Sequence, residues 1–324
     1  MSLPKERHNA MALRKMKAVL KLPPKKIALI ILAILAIAAV SVFVIYPFIY
    51  VKPQQELQQT LGLYTGQSTD TINIAGSTTV LPISLAVAPL FHQFTGVNVQ
   101  VSAGGSGLGY SNVIDGISPI GAVSRPPKSN ELSRAAARGV VLELHPIALD
   151  AICIIWNVPG KFQGDLKLTK DQVAKIFSGV YTLWSEVNSS FPPNPIWVVG
   201  REPNSGTREM FEKSFGVSHT EANQEVTNNQ DMVYSVINTP NSIGYCSFAY
   251  VKNVNTAEIA GENGTFFPPT KETIRNGEYP AYRELYYVTN GMPVEGSLTA
   301  MYLDFVLSPI GQKAVELAGY VPII

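Results

Sequence analysis

The chain has 324 residues, 46% of them hydrophobic and 15% charged, with 25 lysines and arginines against 24 aspartates and glutamates. That length and apolar content suit roughly two domains with real cores, which excludes a disordered chain, a collagen and a disulfide-stapled miniprotein. Residues 1–26 hold eight basic side chains and one acid, Glu6; downstream there are 17 basic and 23 acidic residues, a net of −6 that is a poor footing for nucleic acid.

The basic stretch runs into twenty uncharged residues, Ile27 to Tyr46. At helical rise, twenty residues cover about 30 Å, the hydrocarbon thickness of a bilayer. A cleavable signal has an apolar region of about 7–15 residues with a small-residue site behind it. Here Ala36-Ile37-Ala38 lies inside the run, and Val42 to Ile45 continues past it. The expectation is an uncleaved single-pass anchor over 27–49 in the cell membrane. The basic tail, 1–26, stays in the cytoplasm and the C-terminal body lies outside. Residues 50–70, rich in Gln and Thr, read as a linker that reaches about 60 Å when extended.

From Thr71 the texture changes. The segments 71–76 (TINIAG), 97–103 (VNVQVSA), 119–124 (PIGAVS), 149–156 (LDAICIIW), 195–201 (PIWVVGR) and 242–248 (SIGYCSF) read as strands. Between them 79–94, 129–139, 169–179, 205–216 and 232–238 read as helices. Strands alternating with helices predict an α/β fold with largely parallel sheets, and about 250 residues of that pattern make two lobes.

Signatures of catalysis are absent. The histidines at 8, 92, 145 and 219 are scattered without zinc-ligand spacing, and no Walker lysine follows a glycine loop. In Gly104–Gly109, Leu108 stands where a nucleophile elbow needs glycine, and Tyr110 where a dinucleotide fingerprint does. Cys153 and Cys246 lie in separate strand-like runs, neither beside a histidine. No catalytic residue, metal or cofactor is expected.

The distinctive feature is a set of small polar clusters at strand-to-helix turns: Ser77-Thr78-Thr79, Gly104-Gly105-Ser106-Gly107, Ser124-Arg125, and Ser205-Gly206-Thr207 with Arg201 just before. First-turn N–H groups of a helix have no intrahelical partner and attract anions. Any one cluster alone reads as an ordinary N-cap. Recurrence at matching places, with a guanidinium beside the fourth, points instead to a small oxyanion held in one cleft.

With AGSTTVLPI, GGSGLGYSNVIDG, IGAVSRPP, LTKDQVAKIFSGVYTLWSEV, VVGREPNSGTREMF and NSIGYCSFAYV, the region 71–324 resembles the phosphate-binding proteins of high-affinity phosphate ABC importers. The resemblance implies a type II periplasmic-binding-protein fold, two Rossmann-like lobes joined by a two-strand hinge. Lobe 1 would comprise 71–150 and 247–324, and lobe 2 would comprise 151–246. It implies that inorganic phosphate is held by Ser77, Thr78, Thr79, Ser106, Gly107, Arg201, Ser205, Gly206 and Thr207. Where the family often has an aspartate, this chain has Ser124, followed by Arg125, which either enters the site as a second cation or points outward. Glu202 is a substitute for the acid that orients the arginine in other members. Cys153 and Cys246 would lie on neighbouring hinge strands, as a disulfide or as two buried hydrophobes. The implied protein is a monomeric, membrane-tethered receptor that delivers phosphate to an ABC permease and does no covalent chemistry. The alternatives are a receptor or sensor for another oxyanion or a phosphonate, and a tethered phosphatase or hydrolase. Asn188 and Asn263 match the glycosylation acceptor pattern.

Overall fold

A computed structural model describes residues 70–158 and 166–324. The expected tail and anchor, and residues 50–69 of the linker, lie outside the described residues. Among the described residues no helix is long and apolar enough to cross a membrane.

Strand β1 (Thr71–Gly76) buries Ile72 and Ile74 and pairs in parallel with β2 (Asn98–Ala103) and β3 (Ile120–Val123). Helix α1 (Leu81–Thr95) carries the chain from β1 to β2, α2 (Ser106–Ile114) from β2 to β3, and α3 (Ser129–Ala137) onward to β4 (Leu142–Asn157). The 16 residues of β4 span the molecule, and its pairing changes midway. Its first part, to Ala151, pairs antiparallel with β12 (Tyr282–Asn290). From Ile152 it pairs antiparallel with β8 (Ser242–Ser247).

Beyond β4 come β5 (Lys167–Leu168), α4 (Lys170–Phe177), α5 (Trp184–Val187), β6 (Trp197–Arg201), α6 (Gly206–Phe215), β7 (Gln224–Val226) and α7 (Asn229–Asn238). After β8 follow a 3-10 turn (Phe248–Asn253), β9 (Asn255–Thr256), β10 (Glu258–Ala260), β11 (Phe266–Phe267) and α8 (Lys271–Arg275), then β12, α9 (Leu298–Leu307) and α10 (Pro309–Leu317). Among the described residues the main sheet runs β2-β1-β3-β12-β4-β8-β6-β7, with β9 also on β4, and a small sheet runs β11-β10-β5. The parallel strands sit toward the two ends, and the antiparallel pairs lie where β4 crosses.

Several helices begin where a side chain supplies a missing acceptor. At α4, Thr169 Oγ1 accepts from the Gln172 N–H (3.1 Å) while Gln172 Oε1 accepts from the Thr169 N–H (2.9 Å), a reciprocal cap. At α6, Ser205 Oγ accepts from the Arg208 N–H at 3.2 Å. The core of the second half is aromatic: Phe211 stacks on Tyr245 with centroids 3.9 Å apart, and Phe177 meets Phe211 edge-on at 4.6 Å. Fully burying each such ring is worth about 1.5–3 kcal/mol.

The chain was expected to return to the first lobe at 247, and here the structure differs. Ala257, Ile259, Ile274, Tyr279 and Ala281 bury into the same core as Phe177 and Phe211, and β9 and β10 pair with β4 and β5. The return falls where Ala281 gives way to β12, because these short apolar strands complete the second core. Ser242–Ser247 is accordingly a strand of that half, laid along β4, and Phe248 opens the 3-10 turn.

Cys153 and Cys246 face each other directly in the β4–β8 register, and both are free and fully buried. Burial pushes both thiols well above their usual range. Only the thiolate reacts with an alkylating agent. The reduced native protein is therefore expected to take up no iodoacetamide at pH 8, and two equivalents in urea, as counted by mass spectrometry.

Candidate anion-binding site

The turns that end β1, β2, β3 and β6 converge. Thr79 Oγ1 lies 2.8 Å from Thr207 Oγ1, joining the first cluster to the fourth across 128 residues of sequence. Ser106 Oγ lies 3.1 Å from Ser124 Oγ and accepts from the Ser124 N–H at 3.0 Å, joining the second to the third. Gly206 closes the ring: a methyl group there would overlap Ser106 Oγ and come within 2.6 Å of Ser124 Oγ. Ser77, Thr79, Ser106, Ser124, Ser205 and Thr207 are all buried, and Thr78 is half-buried.

Each turn has a local cause. The Ser77 N–H is spent on the Ala122 carbonyl (2.8 Å), which ties β1 to β3, and Ser77 Oγ accepts from the Thr79 N–H at 3.2 Å. The Thr79 carbonyl accepts from Tyr320 Oη at 2.5 Å and the Thr78 carbonyl from Tyr250 Oη at 3.5 Å. Burial pushes the Tyr250 phenol up to about 12, so it stays protonated and donates. Helix α2 starts at Ser106 behind Gly105, whose φ of +84° suits glycine, and no side chain caps it. The Leu108 N–H bonds the Gly105 carbonyl at 3.1 Å, and the Ser106 and Gly107 amides are left without intrahelical acceptors. Gly107 also borders a hollow on the outer side, together with Arg125 and Lys128.

Arg201, at the end of β6, is 1% exposed. Its Nε and Nη2 donate to the two oxygens of Glu202, both at 2.9 Å, so the neighbouring glutamate fills the orienting position. Nη2 also donates to the Thr227 carbonyl (2.9 Å) and to Thr78 Oγ1 (3.3 Å). Nη1 is buried and has no hydrogen-bond partner among the described residues. An unmet buried donor on a cation is costly, on the order of 1–3 kcal/mol or more, unless something accepts from it.

Arg125 neither enters the ring nor points outward. It is 3% exposed and grips Glu131 of α3 with two bonds of 2.7 Å, while its Nε lies 2.6 Å from Glu209 of α6. Tyr110 faces the same guanidinium at 5.0 Å. Burial alone would lower the pKa of Arg125, but Glu131 and Glu209 outweigh it and hold the charge on. Lys128 reaches Glu209 as well, at 2.5 Å. These contacts bridge the two halves outside the ring.

The second cation at the ring is Arg283 of β12, which the sequence did not single out. Its Nη2 donates to Thr207 Oγ1 (3.1 Å) and its Nη1 to the Ser124 carbonyl (3.2 Å), while Nε and Nη2 hold Asp150 at 3.0 and 2.8 Å. Asn229, at the start of α7, donates to Thr79 Oγ1 at 3.0 Å and was also missed. No local motif marks either residue; both arrive from distant strands and helices.

The arrangement is a pocket of donors. It offers the N-termini of α2 and α6, several hydroxyls, and a guanidinium with an N–H unpartnered among the described residues, which are the groups that suit a small acceptor-rich ligand. Among the described residues no cluster of His, Cys, Asp and Glu has the makings of a metal site.

A profile of the PBP superfamily domain matches residues 64–309. The phosphate-binding protein PstS of Staphylococcus epidermidis is 30% identical over 255 residues, covering 76% of this chain and 77% of its own. Among solved structures, a candidate phosphate ABC transporter substrate-binding protein from Clostridium perfringens, with bound phosphate, aligns at a TM-score of 0.68 and 29% identity. That alignment covers 79% of this chain and 100% of the other. An ABC-type phosphate transport receptor from Vibrio cholerae aligns at a TM-score of 0.63 and 27% identity, covering 77% and 99%. The chain belongs to the PBP superfamily and, within it, to the PstS-like family of substrate-binding proteins, which are not enzymes.

Two outcomes follow from the geometry. Gly206→Ala is expected to keep the fold but to hold the ring apart, weakening anion binding at least about tenfold by calorimetry, since the methyl cannot be placed without moving a hydroxyl-bearing turn. Glu209→Gln is expected to speed ligand release about tenfold in stopped-flow experiments, with the melting temperature little changed because Glu131 still holds Arg125.

Proposed function

We propose that this chain is an extracellular receptor that captures inorganic phosphate within the ring of turns and delivers it to the permease of an ABC importer. The observation that carries this reading is Arg201 Nη1, a buried cationic donor with no partner among the described residues, on a guanidinium that also bonds Thr78 Oγ1. A tetrahedral oxyanion supplies the acceptors that Nη1, the α2 and α6 amides and the threonine hydroxyls lack. The named relatives bind phosphate, which favours that anion over others of similar shape.

The proposed ligand contacts are Ser77, Thr78, Thr79, Ser106, Gly107, Ser124, Arg201, Ser205, Gly206 and Thr207. Arg125 is assigned instead to holding the two halves together. The apolar run Ile27–Tyr46, with eight basic residues before it, supports a single membrane anchor that keeps the receptor beside its permease.

Calorimetric titration of the full-length, detergent-solubilised chain with phosphate and then sulfate tests the reading. Tight one-to-one phosphate binding is expected, weakened at least about tenfold in Arg201→Met, which removes the charge-assisted donor. Sulfate binding as tight as phosphate, or no phosphate binding, would reassign the ligand.

A further inference from the structure

Thr79 and Thr207 meet oxygen to oxygen at 2.8 Å, and each also receives a bond from a group that can only donate there. Arg283 has no acceptor to offer, so its Nη2 donates to Thr207 Oγ1. The amide of Asn229 has its orientation settled by a second contact. Its Oδ1 accepts from the Ser247 N–H at 3.1 Å, which leaves Nδ2 to face Thr79 Oγ1. Asn229 is 1% exposed and Arg283 is 4% exposed, so water does not substitute for either donor.

Counting protons gives the consequence. The two hydroxyls have two protons and four lone pairs. One lone pair on each is filled, by Asn229 and by Arg283, and one hydroxyl proton lies between the oxygens. Whichever hydroxyl accepts that proton then has both lone pairs occupied and must turn its own O–H outward as a donor, while the other hydroxyl keeps one lone pair.

We propose that Asn229 and Arg283 are positioning residues that force the Thr79–Thr207 pair to turn one O–H outward, as a hydrogen-bond donor to an oxygen of the bound oxyanion. The inference rests on the phosphate-receptor reading above and adds a direction to it: the threonine pair always has one O–H to give to the ligand. The group that sets this direction is reached from α7 and β12 and does not itself need to touch the ligand.

The test is Asn229→Asp, which keeps the shape and the bond from the Ser247 N–H but presents an acceptor to Thr79. The Thr79 proton then goes to that carboxylate, the Thr207 proton goes to Thr79, and no O–H remains for the ligand. Phosphate is titrated calorimetrically into the full-length chain at pH 8 and pH 5, alongside wild type and the Thr79→Val and Thr79→Val/Asn229→Asp chains. The expected result is at least about tenfold weaker binding by Asn229→Asp at pH 8. A large part should return at pH 5 relative to wild type, as the new carboxyl takes a proton and donates again. In the Thr79→Val background Asn229→Asp should add little, because the hydroxyl it acts on is gone.

An unchanged affinity in Asn229→Asp would overturn the proposal, as would a loss of equal size in the Thr79→Val background, which would mark simple charge repulsion. Failure of the wild-type chain to bind phosphate would instead overturn the receptor reading. Melting temperatures of all four chains separate a misfolded variant from a misdirected hydroxyl; should Asn229→Asp unfold, Asn229→Ala replaces it, with a threefold or greater loss supporting the proposal and none refuting it.

Discussion

The ion pair between Asp150 and Arg283 is the interaction on which the rest of the site depends. The two residues are direct register partners on β4 and β12, just before β4 changes neighbours at Ile152. Asp150 has no solvent exposure, and besides Arg283 it accepts from Ser247 Oγ (2.8 Å) and from the Phe248 N–H (3.0 Å). Arg283 in turn reaches Thr207 and the Ser124 carbonyl. A single pair thus touches the end of β8, the start of α6 and the end of β3. Burying two charges is costly, and removing one partner from such a pair typically destabilises by about 3–5 kcal/mol. The cost is met here by a complete set of hydrogen bonds, which is also what fixes the geometry around it.

Each arginine at the ring has its own carboxylate, Arg201 with Glu202 and Arg283 with Asp150. The local charges therefore nearly cancel, and the attraction for an anion falls largely on oriented dipoles. A helix N-terminus contributes about 0.3–1 kcal/mol, and up to ~2 kcal/mol when partly buried. Two of them, with the free Nη1 and the hydroxyls, give an affinity that is directional rather than merely electrostatic. Such a site selects by the placement of acceptors, which rewards a tetrahedral oxyanion and leaves planar or bulky anions with bonds unmade.

Much of this was legible in the sequence wherever the signal was local. A strand, a small polar turn and a helix are written in consecutive residues, so the turns at 77–79, 104–107 and 205–207 stand out, as do the strands and helices beside them. Arg201 was visible because it sits four residues before Ser205. Asn229 and Arg283 were not, because nothing near them in sequence indicates that α7 and β12 begin beside the ring. Strand β12 itself carries Arg283 and Glu284 in its interior, a pattern that suggests surface until Asp150 is seen opposite. Arg125 was noticed for its neighbourhood, but its direction depends on Glu209, 84 positions away. The lobe boundary was misplaced for a similar reason: residues 255–281 carry strands of only two or three residues, too short for periodicity to reveal.

The contacts outside the ring have a kinetic side. Arg125, Lys128, Glu131 and Glu209 are two cations and two anions, so together they carry no net charge. The chain beyond residue 26 is itself negative, at −6. A phosphate ion approaching this surface is not drawn in by a long-range field, as it would be toward a basic funnel. On the reading proposed above, its arrival is left to diffusion, and the dipoles of the ring act on it only at close range.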